Sequence, residues 1–435
     1  MPIRIRGTTG LSTRAPSTAG KHADYGGMLS GVRSVAAVLF LLAVLPLHAR
    51  QPGSISVPAA AANPLAADGE GQQVYLPPRK ESTGPAVRSL SVADLQQALA
   101  AAQGDSDPKL AKQLSTMELT ERLSDARCER MKGSLRGKRS REALQVLADA
   151  SAFLRPPAAD IPNRPAPDLA TQQHILQQTV DYVTQLARLL PNLYATEQTL
   201  GFRNTPREVL LAWGQGMVPL WQPLKQVGHS STVVTYRDEH ETEDTTAKAL
   251  RLDPNHRPLV TTGEFGPILR LVLFDAAHGS LRWGQWEQGA SGLEAVFAYA
   301  VPLSQSQYQP GYCCVRDHVL QQTRAYYGEI AVDPASGVIR RLTLETNGTP
   351  GDVLVWTGTM VSYGDVELGD KSYMCPLRTV SITQARPEGV IKPTAITVQP
   401  TGILLDEGWL ETLLNDTVFE NYHLFRASVR ILPSH

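Results

Sequence analysis

The chain has 435 residues, of which 42% are hydrophobic and 6% aromatic, with 41 Lys and Arg set against 42 Asp and Glu. A length of this order holds about two or three structural units, one of them with a large core. So even a charge balance offers no basic excess for nucleic acid and no acidic solvating tail, and the hydrophobic share is that of an ordinary globular protein.

Arg33 precedes an apolar run, Val35 to Leu45, followed by Pro46 and Leu-His-Ala49. A basic start, a short apolar stretch and a small residue at a cleavage point predict a signal peptide over residues 1–49, with Met28 a second candidate for the start. The run falls short of the roughly 20 apolar residues that a membrane span needs. The predicted location is therefore periplasmic or secreted. Residues 50–87 are rich in Ala, Pro, Gly and Ser without a period, and read as a disordered linker.

From 88 to 192 the period is helical. Ser91-Val-Ala-Asp94 has the form of a capping box, with Leu95, Ala98, Leu99 and Ala102 on one face. Ser115-Thr-Met-Glu118 reads as a second helix start, carrying Leu119 and Leu123. Ser140 reads as the cap of a third helix, with Leu144, Leu147 and Ala148, closed by Pro156-Pro157. A longer helix is expected from Asp168 to Leu190, with Leu176, Val180, Val183 and Ala187 on one stripe.

From 193 to 435 the pattern is that of strands. Leu193 to Phe202 alternates, and Gly228 to Arg237 is β-branched and hydroxyl-rich. Asp238 to Asp244 is a charge run, read as a solvated loop. Gly266-Pro267 opens an apolar stretch expected to be one inserted helix, buried against the sheet. Leu281–Glu287 and Leu293–Val301 read as a strand pair. Tyr326–Val332 and Val338–Glu345 flank Asp333-Pro-Ala-Ser-Gly337, a hairpin turn in which Pro presets φ and Gly supplies the positive-φ exit. Val353–Val366 and Lys371–Gln384 flank Gly369-Asp370, a second hairpin. Val418–Leu432 reads as the last strand. The count is about ten strands, antiparallel because their connections are short. The predicted fold is α+β: a helical region, then an antiparallel sheet with an inserted helix.

The pattern Tyr326-x-Gly-x-Ile-x-Val-Asp-Pro-x-Ser-Gly-x-Ile-x-Arg-Leu342, then Val361-x-Tyr-Gly-x-Val-x-Leu-Gly-x-x-x-Tyr-x-Cys-Pro376, then Asn415 and Phe419-x-x-Tyr-His-x-Phe425 resembles an uncharacterised family of secreted acidobacterial proteins. Leu119-Thr-Glu-Arg-Leu123, Leu147-Ala-Asp-Ala-Ser-Ala-Phe-Leu154 and Leu190-Pro-Asn192 match it too. That resemblance implies no activity. A weaker, fold-level resemblance is to LolA/LolB-type lipoprotein carriers. It implies a strongly curved antiparallel half-barrel with helices on its concave side, and transfers no site residue.

No catalytic constellation is present. There is no His-Glu-x-x-His and no phosphate-cradling glycine loop, and Ser291 lacks the flanking glycine of a nucleophile elbow. Cys313 and Cys314 are neighbours on an expected strand, so one of them can face Cys375 in a disulfide, with small buried residues as the alternative. Their spacing does not suit zinc, and neither metal nor cofactor is predicted. His423 reads as a half-buried histidine of the sheet, and His229 and His278 as exposed. Trp283, Trp286, Tyr312, Tyr326, Trp356, Tyr363, Tyr373 and Tyr422 are candidates to line an apolar pocket, with core packing as the alternative.

Three functions stay open: an exported, non-catalytic binding protein holding a lipid, acyl chain or lipidated partner, with contact to a membrane surface; an envelope protein-interaction module working through the helical region; and a hydrolase of unrecognised type.

Overall fold

A computed structural model describes residues 88–204, 207–210, 217–220, 222–237, 240–243, 259–260, 264–315, 318–349, 352–386, 396–399, 402–405 and 410–425. The predicted signal peptide and linker lie outside these residues.

The helical part opens with β1 (Arg88–Leu90) and α1 (Val92–Ala101). The capping box forms as expected: the Ser91 hydroxyl accepts from the Asp94 amide at 3.1 Å and the Asp94 carboxylate from the Ser91 amide at 3.2 Å. The second helix does not start at Ser115. α2 lies upstream, Asp107–Leu114, opened by Pro108 in its first turn. Residues Met117–Leu119 instead form β2, paired in parallel with β1, because Leu119 is buried opposite Leu90. α3 follows at Asp125–Ser134 and α4 at Lys138–Ala150. Ser140 does not cap α4. Its first turn is held by Asp107 of α2, which accepts from the amides of Ser140 at 2.8 Å and Arg139 at 3.2 Å. A cap borrowed from another helix leaves no local motif to read. α5 (Leu169–Leu189) has Asp168 as its N-cap, accepting from the Thr171 amide at 2.7 Å.

The strands follow as β3 (Leu193–Asn204), β4 (Arg207–Leu210), β5 (Met217–Leu220), β6 (Lys225–Arg237), β7 (His240–Glu243) and β8 (Leu259–Val260). The inserted helix α6 (Pro267–His278) comes next. Then come β9 (Ser280–Gln288), β10 (Leu293–Val301), β11 (Gly311–Val315), β12 (His318–Gln321), β13 (Tyr326–Val332), β14 (Ile339–Asn347), β15 (Leu354–Leu368), β16 (Lys371–Ala385), β17 (Ile396–Gln399), β18 (Gly402–Leu405) and β19 (Glu411–Leu424).

Ten strands form one antiparallel sheet in the order β7-β6-β3-β19-β16-β15-β14-β13-β10-β9, and β8, β11 and β12 form a small three-stranded sheet. The large sheet is open, with β7 and β9 at its edges; the α+β class, the ten strands and the inserted helix are as expected, and no strong curl is detected in the sheet.

On one face Phe297, Ile330, Leu342 and Val361 stand opposite one another across four strands. They are buried with Ile175, Val183 and Leu186 of α5 and Ile268, Leu269 and Val272 of α6. On the other face Val380, Ile382, Leu414 and Phe202 pack with Ala152, Phe153 and Val146 of the N-terminal helical part. Cross-strand neighbours of this kind are what stabilise a sheet.

Both hairpin turns form where expected. The Asp333 amide bonds Val338 O at 2.9 Å, and Gly337 and Gly369 hold φ of 71° and 72°. Two expectations shift. Residues 240–243 of the charge run are the edge strand β7, and Glu241 accepts from the Phe265 amide at 3.1 Å, so this part is no solvated loop; residues 238, 239 and 244 lie outside the described residues. The last strand begins earlier than Val418, at Glu411, because Leu413 and Leu414 continue the buried pattern, and residues 426–432 lie outside the described residues.

Candidate functional site: a groove between helix α4 and the sheet

α4 is amphipathic. Leu144, Leu147 and Ala148 turn into the N-terminal core with Leu95, Leu114 and Leu123. The flank carrying Arg141, Glu142, Gln145 and Val146 is left to face the sheet. There it walls a groove of about 280 Å³, completed by Lys132, by Leu200 and Phe202 of β3, by Gln226 of β6 and by Asp416 of β19. Leu200 and Phe202 are two apart on a strand, so they share a face; they stand opposite Asp416 and Leu414 respectively.

The lining is apolar at Val146, Leu200 and Phe202 and carries charges of both signs, Lys132 and Arg141 beside Glu142 and Asp416. Lys132 pairs with Glu129 at 2.6 Å, and the Arg141 Nε–H donates to Leu135 O at 2.8 Å. Behind the groove, the Gln145 amide donates to Asp149 at 2.7 Å. Asp149 pairs with Arg378, which also holds Asp125 and Asp416, each at 2.8 Å. Asp149 is 1% exposed, and its Oδ2 has no hydrogen-bond partner among the described residues. Burial, reinforced by the Asp416 charge, lifts its carboxyl to about 7 against the pull of Arg378. Arg378 itself is held charged: its three carboxylates outweigh its burial.

A second ionic cluster ties the helical part to the far side of the same face. Arg341 grips Glu287 with two bonds of 3.0 Å each, and Arg122 pairs with the same carboxylate. Burial raises Glu287, but the two arginines outweigh it and hold the carboxyl at about 2.

The aromatic candidates do not converge on one pocket. Trp283 and Trp286 meet edge to face at 4.8 Å, with Phe297 at 5.4 Å from Trp283. The Trp286 indole N–H donates to Pro165 O at 2.9 Å under the Arg164 guanidinium. Tyr326 donates to Asp275 at 2.9 Å and Tyr363 to Glu264 O at 3.1 Å. Tyr373 and Tyr422 pack with the Phe265 cluster, and the Tyr422 hydroxyl donates to Pro376 O. Trp356 stands on the opposite face, edge-on to Phe153 at 5.2 Å. Tyr312, Cys313 and Cys314 belong to β11, and their side chains lie outside the described residues. Cys375 is a buried thiol, and the partner expected for it in a disulfide, Cys313 or Cys314, has its side chain outside the described residues. His423 is exposed beside Tyr194, 5.1 Å between rings, rather than half-buried; His229 and His278 are exposed. The groove residues escaped the sequence reading. Its one trace there is the apolar pair Leu200 and Phe202 in an otherwise polar stretch of β3.

No family model matches the chain, and no curated protein matches it. Among solved structures, a crystal structure described as an outer membrane lipoprotein-sorting protein domain from Vibrio parahaemolyticus aligns with 58% of this chain and 92% of its own length, at 10% identity and a TM-score of 0.23. An alignment that loose assigns no residue a role.

Proposed function

We propose that the chain is a non-catalytic binding protein that takes an amphipathic ligand, with an apolar body and an acidic head, in the groove under α4. One observation carries this: an apolar lining of Val146, Leu200 and Phe202 in a recess of about 280 Å³ that Lys132 and Arg141 also line. Ligand sites combine apolar walls with a few orienting polar groups in this way. At about 30 Å³ per water-sized group, the recess takes an acyl segment of roughly nine carbons. A lipid acyl chain or a lipidated partner supplies that chemistry. The apolar run at Val35–Leu45 places the binding beyond the cytoplasmic membrane in this reading. Among the described residues the groove is lined by no Ser, Cys or His; its carboxylates are Glu142 and Asp416. An interaction module has support in Ile161 and Leu169 of the helical part, which are 38% and 67% exposed.

The test is titration with a fluorescent long-chain fatty acid. Leu200→Arg or Val146→Glu is expected to weaken binding at least tenfold while the melting temperature stays near that of the parent, and Arg141→Glu to weaken it severalfold. No binding by the parent, or equal binding by the variants, refutes the groove and shifts the assignment to protein interaction.

A further inference from the structure

The two edges of the large sheet differ. One edge, β7, is four residues long and carries Glu241, whose carboxylate is committed to the Phe265 amide. The other, β9, runs for nine residues, and among the described residues it pairs with β10 alone. Beyond that ladder, no backbone group of Ser280–Gln288 bonds any of the described residues. Sheets commonly end in short or charged strands, because an open edge is a template for another strand. β9 is long, and its single carboxylate, Glu287, is buried and held by Arg341 and Arg122. Gly284, bulged and exposed at its middle, lets another backbone approach without meeting a side chain.

Charged side chains flank this edge on both faces of the sheet. Leu281 and Trp283 pack with the core beneath α5 and α6. Arg282, between them, therefore points to the opposite face, where it is exposed. On the α6 face the segment leading into α5 meets the end of the strand. There the Trp286 indole donates to Pro165 O, and the Arg164 guanidinium lies 4.7 Å from the centre of its ring. Arg164 is exposed as well. Neither arginine has a carboxylate partner among the described residues. The acids of that segment are engaged elsewhere, Asp160 by Arg127 and Asp168 by the Thr171 amide. Ile161 and Leu169, on either side of Arg164 in sequence, are exposed apolar residues.

We propose that β9 is a docking edge for an extended, acidic segment of a partner protein, which adds to the large sheet as one more strand. In such an arrangement main-chain hydrogen bonds supply affinity and side chains supply choice. Two cations without carboxylate partners flank the strand, and Ile161 and Leu169 stand exposed on the segment that meets it, so the fitting partner alternates Asp or Glu with apolar residues. A second copy of this chain fits worse, because its β9 brings the same Arg282 and no exposed carboxylate. The edge is separate from the groove under α4, whose strands β3, β6 and β19 lie towards the other end of the sheet.

The test pans a phage-displayed library of random peptides against the intact protein, then titrates the enriched peptides by fluorescence polarisation. These are expected to alternate Asp or Glu with apolar residues and to bind the Leu200→Arg groove variant as they bind the parent. The double variant Arg164→Glu with Arg282→Glu is expected to bind them at least tenfold more weakly and, with both side chains exposed, to melt near the parent temperature. A second measurement leaves the protein unaltered: the same peptide methylated at every second backbone amide, in one of the two frames, is expected to lose at least tenfold, because a strand pairs through its main chain. The proposal is overturned if panning enriches nothing, if the enriched peptides carry no acid, or if the double variant binds as the parent does. It is overturned equally if peptides methylated in either frame bind undiminished. Light scattering that finds the peptide-free protein dimeric and closed to the peptide overturns it in favour of a second copy.

Discussion

Arg378 in β16 and Asp149 in α4 form an ion pair across the interface between the helical part and the sheet, with Asp149 buried and Arg378 half-buried. Strand and helix are 229 residues apart in sequence, so the contact reports the docking of the two parts. The same guanidinium gathers Asp125 from α3 and Asp416 from β19. Replacing Arg378 by Leu therefore strands Asp149 and Asp416 in a buried setting. Breaking one side of such a network costs about 3–5 kcal/mol. Urea denaturation of Arg378→Leu is expected to show a loss of that size; a loss below about 1 kcal/mol would mean that water reaches the site.

Asp149 gives the network a pH dependence. Its folded carboxyl is raised to about 7, above its ordinary 3.8. A group raised on folding binds its proton more tightly in the folded state, so its contribution is complete below about 3.8 and is lost as pH climbs towards 7. Asp149→Asn removes the titration. Across pH 5.5 to 8, the melting temperature of the parent is expected to fall relative to that of the variant, and parallel curves would refute the assignment.

Glu287 acts in the opposite sense. Held at about 2 by its arginines, it contributes fully above its ordinary 4.5, and the contribution fades as pH falls towards 2. Glu287→Gln is expected to cost stability at pH 7 and much less at pH 3, measured by denaturant midpoint at each pH.

Two glycines with nearly the same backbone separate strain from collision. Gly337 and Gly369 both sit at positive φ, but a Cβ on Gly337 would lie 2.4 Å from the Gln178 carbonyl carbon in α5, whereas one on Gly369 meets only Leu424 at 3.7 Å. Gly369→Ala should cost about 1–2 kcal/mol, the ordinary strain of a left-handed residue. Gly337→Ala should cost clearly more, because the hairpin must also move off the helix. Equal melting temperatures for the two variants would show that α5 yields.

Burial pushes the thiols of Cys128 and Cys375 up to about 12. Iodoacetamide labelling followed by peptide mass spectrometry is expected to leave both unmodified in the folded protein and to modify both in urea. Rapid labelling of either under native conditions would mean that its layer opens.

Much of the fold was legible because its signals are local. The α1 capping box, the Asp168 cap, Gly266-Pro267 before α6 and the Asp333–Gly337 turn each act within a few residues. The errors fall where the deciding partner is distant. α4 takes its cap from Asp107, and β2 exists because Leu119 meets Leu90. The groove joins α3 and α4 to β3, β6 and β19, which no single stretch of sequence places side by side. The aromatic candidates stayed open between pocket and core because a tyrosine in a core and one in a pocket carry the same alternation. Only Tyr326 bonded to Asp275, or Trp356 on the other face, tells them apart.

The place of β19 between β3 and β16 bears on how the chain assembles. β6, β3 and β7 form one block, and β9, β10 and β13 to β16 another, each from neighbours in sequence or nearly so. Among the described residues no pairing joins these blocks except through Glu411–Leu424, the last of the ten strands in sequence. Until it inserts, β3 and β16 each present a bare edge, and exposed edges invite pairing with other chains. Contacts this distant in sequence also form slowly. A chain stopped before Glu411 would then hold two unfinished half-sheets and aggregate, and completion of the sheet would wait on Glu411–Leu424.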